Sequence, residues 1–219
     1  MTNTNIDFWM RIIENPSPIY KELFKQEKIY LTSKILPNVN VLDVGCGDGR
    51  IIKIITENTK NIVGIDNDPI AIKNARNQLI EFPSTKLVEG DGLNMPFVNE
   101  SFDIIVFMMT LVNFGNNKIS VLKEINRVLK RDGILLLSVY SEDAYETRLK
   151  MYTEIGLPIK NYENGKFVFN AMASAETSQQ FSIEELSSLV KEGGFKITDT
   201  YKIDKIAYIC TLQKISNMI

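Results

Sequence analysis

Val41-Leu42-Asp43-Val44-Gly45-Cys46-Gly47-Asp48-Gly49 is a short apolar run that breaks into glycine at every second position. Four strand-forming residues entering three closely spaced glycines predict a buried strand that turns sharply into a helix, here over residues 48–58. The helix would turn Ile51, Ile52, Ile54 and Ile55 inward. Asn61-Ile62-Val63-Gly64-Ile65-Asp66 reads as a second strand ending on a carboxylate 21 residues after Gly45. A glycine turn with an acid at that offset fits a bound nucleoside, the acid accepting from two ribose hydroxyls. The spacing is G-x-G-x-G, and Arg50 stands where a dinucleotide fingerprint needs glycine. Asp48 at the start of the helix would repel a phosphate. No G-x-x-x-x-G-K-[ST] loop is present. The loop therefore suits a ligand without phosphate and with a positive centre.

Outward from this loop the chain alternates strands and helices. Pro69 predicts the first turn of a helix running to about residue 81. Strands follow over 85–88 and 102–108, then a helix over 118–130 closed by Gly133 and a strand over 134–139. Upstream, two helices are expected within 6–36, separated by Pro16-Ser17-Pro18. Downstream, a helix is expected over 141–155 and a hairpin turn at Asn164-Gly165. Ser182 with Glu185 forms a capping box, Gly193-Gly194 ends that helix, and strands near 195–201 and 206–213 finish the chain. Continuously apolar strands linked by helices predict a Rossmann-like, doubly wound α/β fold. Its sheet would have seven strands, the last antiparallel, in a three-layer α/β/α arrangement with N-terminal helices and an insertion after strand 5.

Composition narrows the function. The 219 residues are 44% hydrophobic and 24% charged, with Lys+Arg 25 against Asp+Glu 27. A net charge of −2 leaves no overall basic footprint for nucleic acid. Cys46 and Cys210 cannot build a disulfide framework and read as reduced thiols of a cytoplasmic protein. The N-terminal residues lack a signal peptide pattern, and no apolar stretch is long enough to span a bilayer. There is no histidine. That removes histidine-based triads, histidine metal sites and an imidazole base, and no metal is expected.

Residues 41–139 resemble the class I S-adenosylmethionine-dependent methyltransferases, particularly the small-molecule group related to the ubiquinone-biosynthesis methyltransferases. Four segments carry the resemblance: the glycine loop; Val63-Gly64-Ile65-Asp66; Glu89-Gly90-Asp91-Gly92-Leu93-Asn94-Met95-Pro96-Phe97; and Ser101-Phe102-Asp103-Ile104-Ile105-Val106 with the stretch from Leu122 to Gly133. Asp132 departs from the family, which usually has proline there. The resemblance implies S-adenosyl-L-methionine as cofactor and S-adenosyl-L-homocysteine as product. It sets the backbone of Gly45, Cys46 and Gly47 against the methionine part, and Asp66 with Asn67 at the ribose. Asp91 would meet the adenine amino group, the Gly92 or Leu93 amide the ring, and Phe107 and Met108 the sulfonium region. One domain over 1–219 is expected: a helical cap (1–37), the cofactor core (38–139), a substrate-side insertion (141–181) and a final helix with strands (182–219).

A sulfonium methyl is already electrophilic, so alignment in a dry pocket is the main demand. Without histidine, a nitrogen, carbon, sulfur or acidic oxygen acceptor on a small molecule is favoured over a plain hydroxyl. Topology directs Asn113, Tyr140, Arg148 and Tyr152 to the carboxyl edge of the sheet. Asn113 would orient the acceptor or make local turn bonds; Tyr140 would be a polar wall, a weak base or simply a buried tyrosine. Arg148 would clamp a carboxylate or phosphate or be a solvated helix residue. Tyr20 would reach the cofactor carboxylate or pack the helices. The alternatives are an RNA or protein methyltransferase and a non-catalytic cofactor-binding subunit. A monomer or homodimer is expected.

Overall fold

The computed structural model describes residues 5–170 and 176–215, with the side chains of 5–9 left aside. The N-terminal calls on residues 1–4, the side chain of Trp9, and 171–175 of the expected insertion lie outside the described residues. Helices α1 (Asn5–Glu14) and α2 (Pro18–Lys34) are separated at Pro16-Ser17-Pro18, as expected.

The core alternates strand and helix: β1 (Val41–Val44), α3 (Arg50–Ile55), β2 (Ile62–Asp66), α4 (Pro69–Gln78), β3 (Lys86–Glu89), β4 (Phe102–Met108), α5 (Lys118–Val128) and β5 (Leu129–Ser141). An insertion follows, comprising α6 (Tyr145–Glu154), β6 (Ile159–Glu163), β7 (Lys166–Phe169) and β8 (Thr177–Phe181). The chain returns with α7 (Ile183–Glu192), β9 (Phe195–Ile203) and β10 (Ala207–Lys214). The order of the main sheet is β3-β2-β1-β4-β5-β10-β9. Its first five strands are parallel, and β10 runs antiparallel to both neighbours. The last strand is thus the antiparallel one.

Period-two alternation explains the three layers. Along β4, Ile104, Val106 and Met108 join a core with Ile51, Ile52 and Ile55 of α3 and Ile72 and Ala75 of α4. Ile105 and Phe107 point to the opposite core, with Val121, Leu122 and Ile125 of α5 and Leu186 and Val190 of α7. Buried on both faces, such strands read as unbroken apolar runs.

The insertion adds strands beyond the expected seven. Asn164 and Gly165 have φ of 49° and 72° and close the β6–β7 hairpin; both central residues at positive φ suit an Asn-Gly turn. β7 pairs with β8, and β8 runs parallel to the end of β5 through Tyr140↔Gln180 and Ser141↔Phe181. The β4–β5 register ends at Met108↔Ser138, so β8 takes up the edge that β4 leaves. This seats the insertion over the carboxyl edge of the sheet.

Gly133 does not end a helix. α5 stops at Val128 and β5 begins at once, with a register shift against β4 between Phe102 and Ile104. A Cβ on Gly133 would stand 2.8 Å from the Asp103 carbonyl oxygen, so glycine serves close strand approach.

Candidate functional site

The turn after β1 has φ of 70°, 55° and 88° at Gly45, Gly47 and Gly49, a left-handed backbone that side chains resist. A Cβ on Gly45 would also collide with the Thr110 side chain. Gly49 caps α3, while Asp48 accepts from the Arg50 amide at 3.3 Å and from Gln78 at 3.2 Å. The Cys46 thiol is buried and burial pushes its pKa upward, so it packs rather than reacts.

Asp66, at the end of β2, accepts from the Gly47 amide and the Asp68 amide, each at 2.9 Å. Burial raises its pKa against these two bonds. A carboxylate has about four lone-pair sites, so two remain for hydroxyl donors. Asp91 accepts from the Leu93 amide at 2.9 Å, which leaves Leu93's N–H already engaged. The Phe114 ring lies 3.3 Å from where a Gly92 Cβ would be, so a side chain at 92 would press on it.

One cavity of about 1040 Å³ runs from these groups to the insertion. Gly45, Cys46, Gly47, Asp66, Asn67, Asp91, Gly92, Leu93 and Met108 line it, together with Asn113, Tyr140 and Tyr152. Its span suits a nucleoside-sized ligand with a second small molecule beside it.

Three expected site residues do not line this cavity. Phe107 is fully buried on the other face of β4, edge-on to Phe114 at 5.7 Å, because neighbouring strand residues point oppositely. Tyr20 is buried behind Tyr140, its hydroxyl 3.1 Å from that of Tyr140. Arg148, far from a solvated helix residue, has 0% exposure on the inner side of α6 and bonds to Tyr152, Ser178 and Gln180. Burial, then the neighbouring Tyr152, drives the pKa of Tyr140 well above the usual tyrosine range.

Several buried charges were not singled out from the sequence. Glu27 of α2 accepts from Arg50 at 2.8 Å and from Ser138 at 3.2 Å. Arg50 lines the cavity with its Nη1 buried and unpartnered, and Asp43 Oδ2 is likewise unpartnered. Burial raises Asp43 to about 8. Asp43 and Arg50 belong to the glycine loop, but Glu27 arrives from a helix distant in sequence. No local pattern marks it.

Residues 42–137 match the profile of a family described as a methyltransferase domain. Residues 42–137 thus form a methyltransferase domain. This methyltransferase is 27% identical, over 84% of its length and 83% of the relative's, to demethylmenaquinone methyltransferase of Staphylococcus aureus. Its fold matches a crystal structure of a Pyrococcus horikoshii OT3 protein with TM-score 0.73 and 22% identity, covering 91% of this chain and 93% of that one. It also matches the Burkholderia thailandensis 1,6-didemethyltoxoflavin-N1-methyltransferase, solved with 1,6-didemethyltoxoflavin and S-adenosylhomocysteine (TM-score 0.68, 14% identity, 94% and 82% covered). Among the described residues, no helix is long and apolar enough to cross a membrane, and no cluster of three or more acids and cysteines could hold a metal ion.

Proposed function

We propose that the protein transfers the methyl group of S-adenosylmethionine to a small-molecule acceptor in the cytoplasm. The continuous cavity from the glycine loop to the insertion carries this reading, because it offers room for both reactants side by side. When bound, the cofactor supplies an electrophilic methyl: the acceptor's electron pair forms the new bond to carbon, and the carbon–sulfur pair stays on sulfur as S-adenosylhomocysteine.

The residues divide the work. Gly45, Cys46 and Gly47 lay backbone against the methionine part, and Asp66 with Asn67 holds the ribose. Asp91, Gly92 and Leu93 take the adenine, and Met108 flanks the sulfonium. Ile12 of α1 and the insertion, through Tyr152, Phe169 and Ser178, wall the cavity, and Asn113, Tyr140 and Tyr152 face the acceptor. The S. aureus relative's name, demethylmenaquinone methyltransferase, supports a small organic acceptor. The acceptor atom is a nitrogen, carbon, sulfur or acidic oxygen, since no histidine can deprotonate a plain hydroxyl.

Calorimetry checks the cofactor site. Asp66→Ala should weaken S-adenosylhomocysteine by about 1.5–3 kcal/mol, the worth of a charged hydrogen-bond partner; unchanged affinity would overturn the assignment. Radiolabelled cofactor with a metabolite extract should label a low-mass fraction. Label confined to RNA or protein would replace the acceptor class.

A further inference from the structure

The acceptor end of the cavity is backed by a buried cation that has no acid. Arg148 is 0% exposed, and among the described residues no carboxylate lies within ion-pair distance of it. Neutral oxygens take its protons: Tyr152 Oη at 3.3 and 3.0 Å, Ser178 Oγ at 2.8 Å, the Ser178 carbonyl at 2.9 Å and Gln180 Oε1 at 3.2 Å. Its guanidinium also lies 4.0 Å from the Tyr140 ring centroid and 4.8 Å from that of Phe167. An isolated buried charge is costly and is normally paired.

The bonding directions say where the missing anion belongs. Tyr152 and Ser178 line the cavity, and their hydroxyl oxygens already accept from Arg148. Their own protons are therefore left to point elsewhere, and the open direction is the cavity. Two hydroxyl donors polarised from behind by a cation form an anion-receiving wall. Lys166 also lines the cavity, but the register Phe167↔Ser178 and Lys166↔Gln179 turns its side chain to the other face of the hairpin from Ser178. The acids are mostly at the far end, where Asp48, Asp66, Asp68 and Asp91 surround the glycine loop. On the acceptor side the lining acid is Glu176, which is exposed.

Resting on the methyl-transfer reading, we propose that the acceptor binds as an anion, a carboxylate, enolate or acidic phenolate. Its negative charge sits against Tyr152 and Ser178, with Arg148 as a positioning residue that sets their donor direction. The buried tyrosines and the guanidinium include no base, so the acceptor arrives deprotonated. The anion's electron pair then forms the bond to the methyl carbon, and its charge cancels with that of the sulfonium. Charge cancellation of this kind is favoured in a dry cavity.

The test uses two fluorescent probes of one ring skeleton, the anion anilinonaphthalene sulfonate and the neutral phenylnaphthylamine, titrated into protein saturated with S-adenosylhomocysteine. The anion should bind at least about tenfold more tightly. Ser178→Ala should cut that preference at least threefold, and Arg148→Met should abolish it. Neutral-probe affinity within about twofold of the native value reports an intact cavity, a readout that a merely structural role for Arg148 would move. If Arg148→Met fails to fold, Ser178→Ala decides alone. Equal affinity for the two probes, binding of neither, or a preference untouched by Ser178→Ala overturns the proposal. Failure to saturate with S-adenosylhomocysteine would overturn the cofactor reading and this one with it; saturation without anion preference overturns this one alone.

Discussion

Asp43 sits in the middle of β1 with one carboxylate oxygen unpartnered and its pKa raised by burial to about 8. An unfolded aspartate ionises near 3.9, so between about pH 4 and 8 the folded chain holds a proton that the unfolded chain has lost. Stability contributed at this position therefore falls as pH rises through that window, by up to about 1.4 kcal/mol per unit, and levels off above it. Asp43→Asn has no proton to lose. Its stability relative to the native chain should grow from pH 5 to pH 8 in urea unfolding without ligand, and parallel profiles would refute the assignment. The carboxyl itself was visible in the glycine-loop motif. Its unpaired oxygen was not, because the groups around it (Glu27, Arg50, Asp66) come together only on folding.

At the scale of elements, local signals held where short-range chemistry decides the structure. Asp68 accepts from the Ile70 amide at 2.8 Å as the cap of α4, with Pro69 in the first turn. Ser182 and Glu185 form their reciprocal box on α7. The junction of α5 and β5 went differently, because Gly133 serves packing between strands. Gly133→Ala would push a methyl to 2.8 Å from the Asp103 carbonyl and 2.7 Å from Leu129 Cδ1. Backbone cannot yield as a flexible side chain does, so a loss of about 1–3 kcal/mol in the urea midpoint is expected. A change below about 0.5 kcal/mol would mean that the strands separate there at little cost.

Across the whole molecule, ligand binding and folding are linked. The cavity draws its walls from the glycine loop, the turn after β4 and the insertion, so a ligand bound there stabilises all three together. S-adenosylhomocysteine at a hundredfold its dissociation constant should add about 2.7 kcal/mol to unfolding, seen as a raised melting temperature. Asp66→Ala should lose most of that gain at the same concentration. A gain equal in both proteins would place the ligand elsewhere.

The linear sequence by itself determined the order of strands and helices, the glycine turn and the acid that follows it. These depend on neighbours within a few residues and on period-two burial, which composition along the chain records directly. Tertiary structure decided which side chains face the cavity. Phe107 and Met108 are adjacent in the chain yet point to opposite faces, and Arg148 lies behind Tyr140 and Tyr152 instead of beside a ligand. The place of Arg148 turns on β8 docking against the end of β5, a long-range pairing whose geometry no stretch of neighbouring residues encodes.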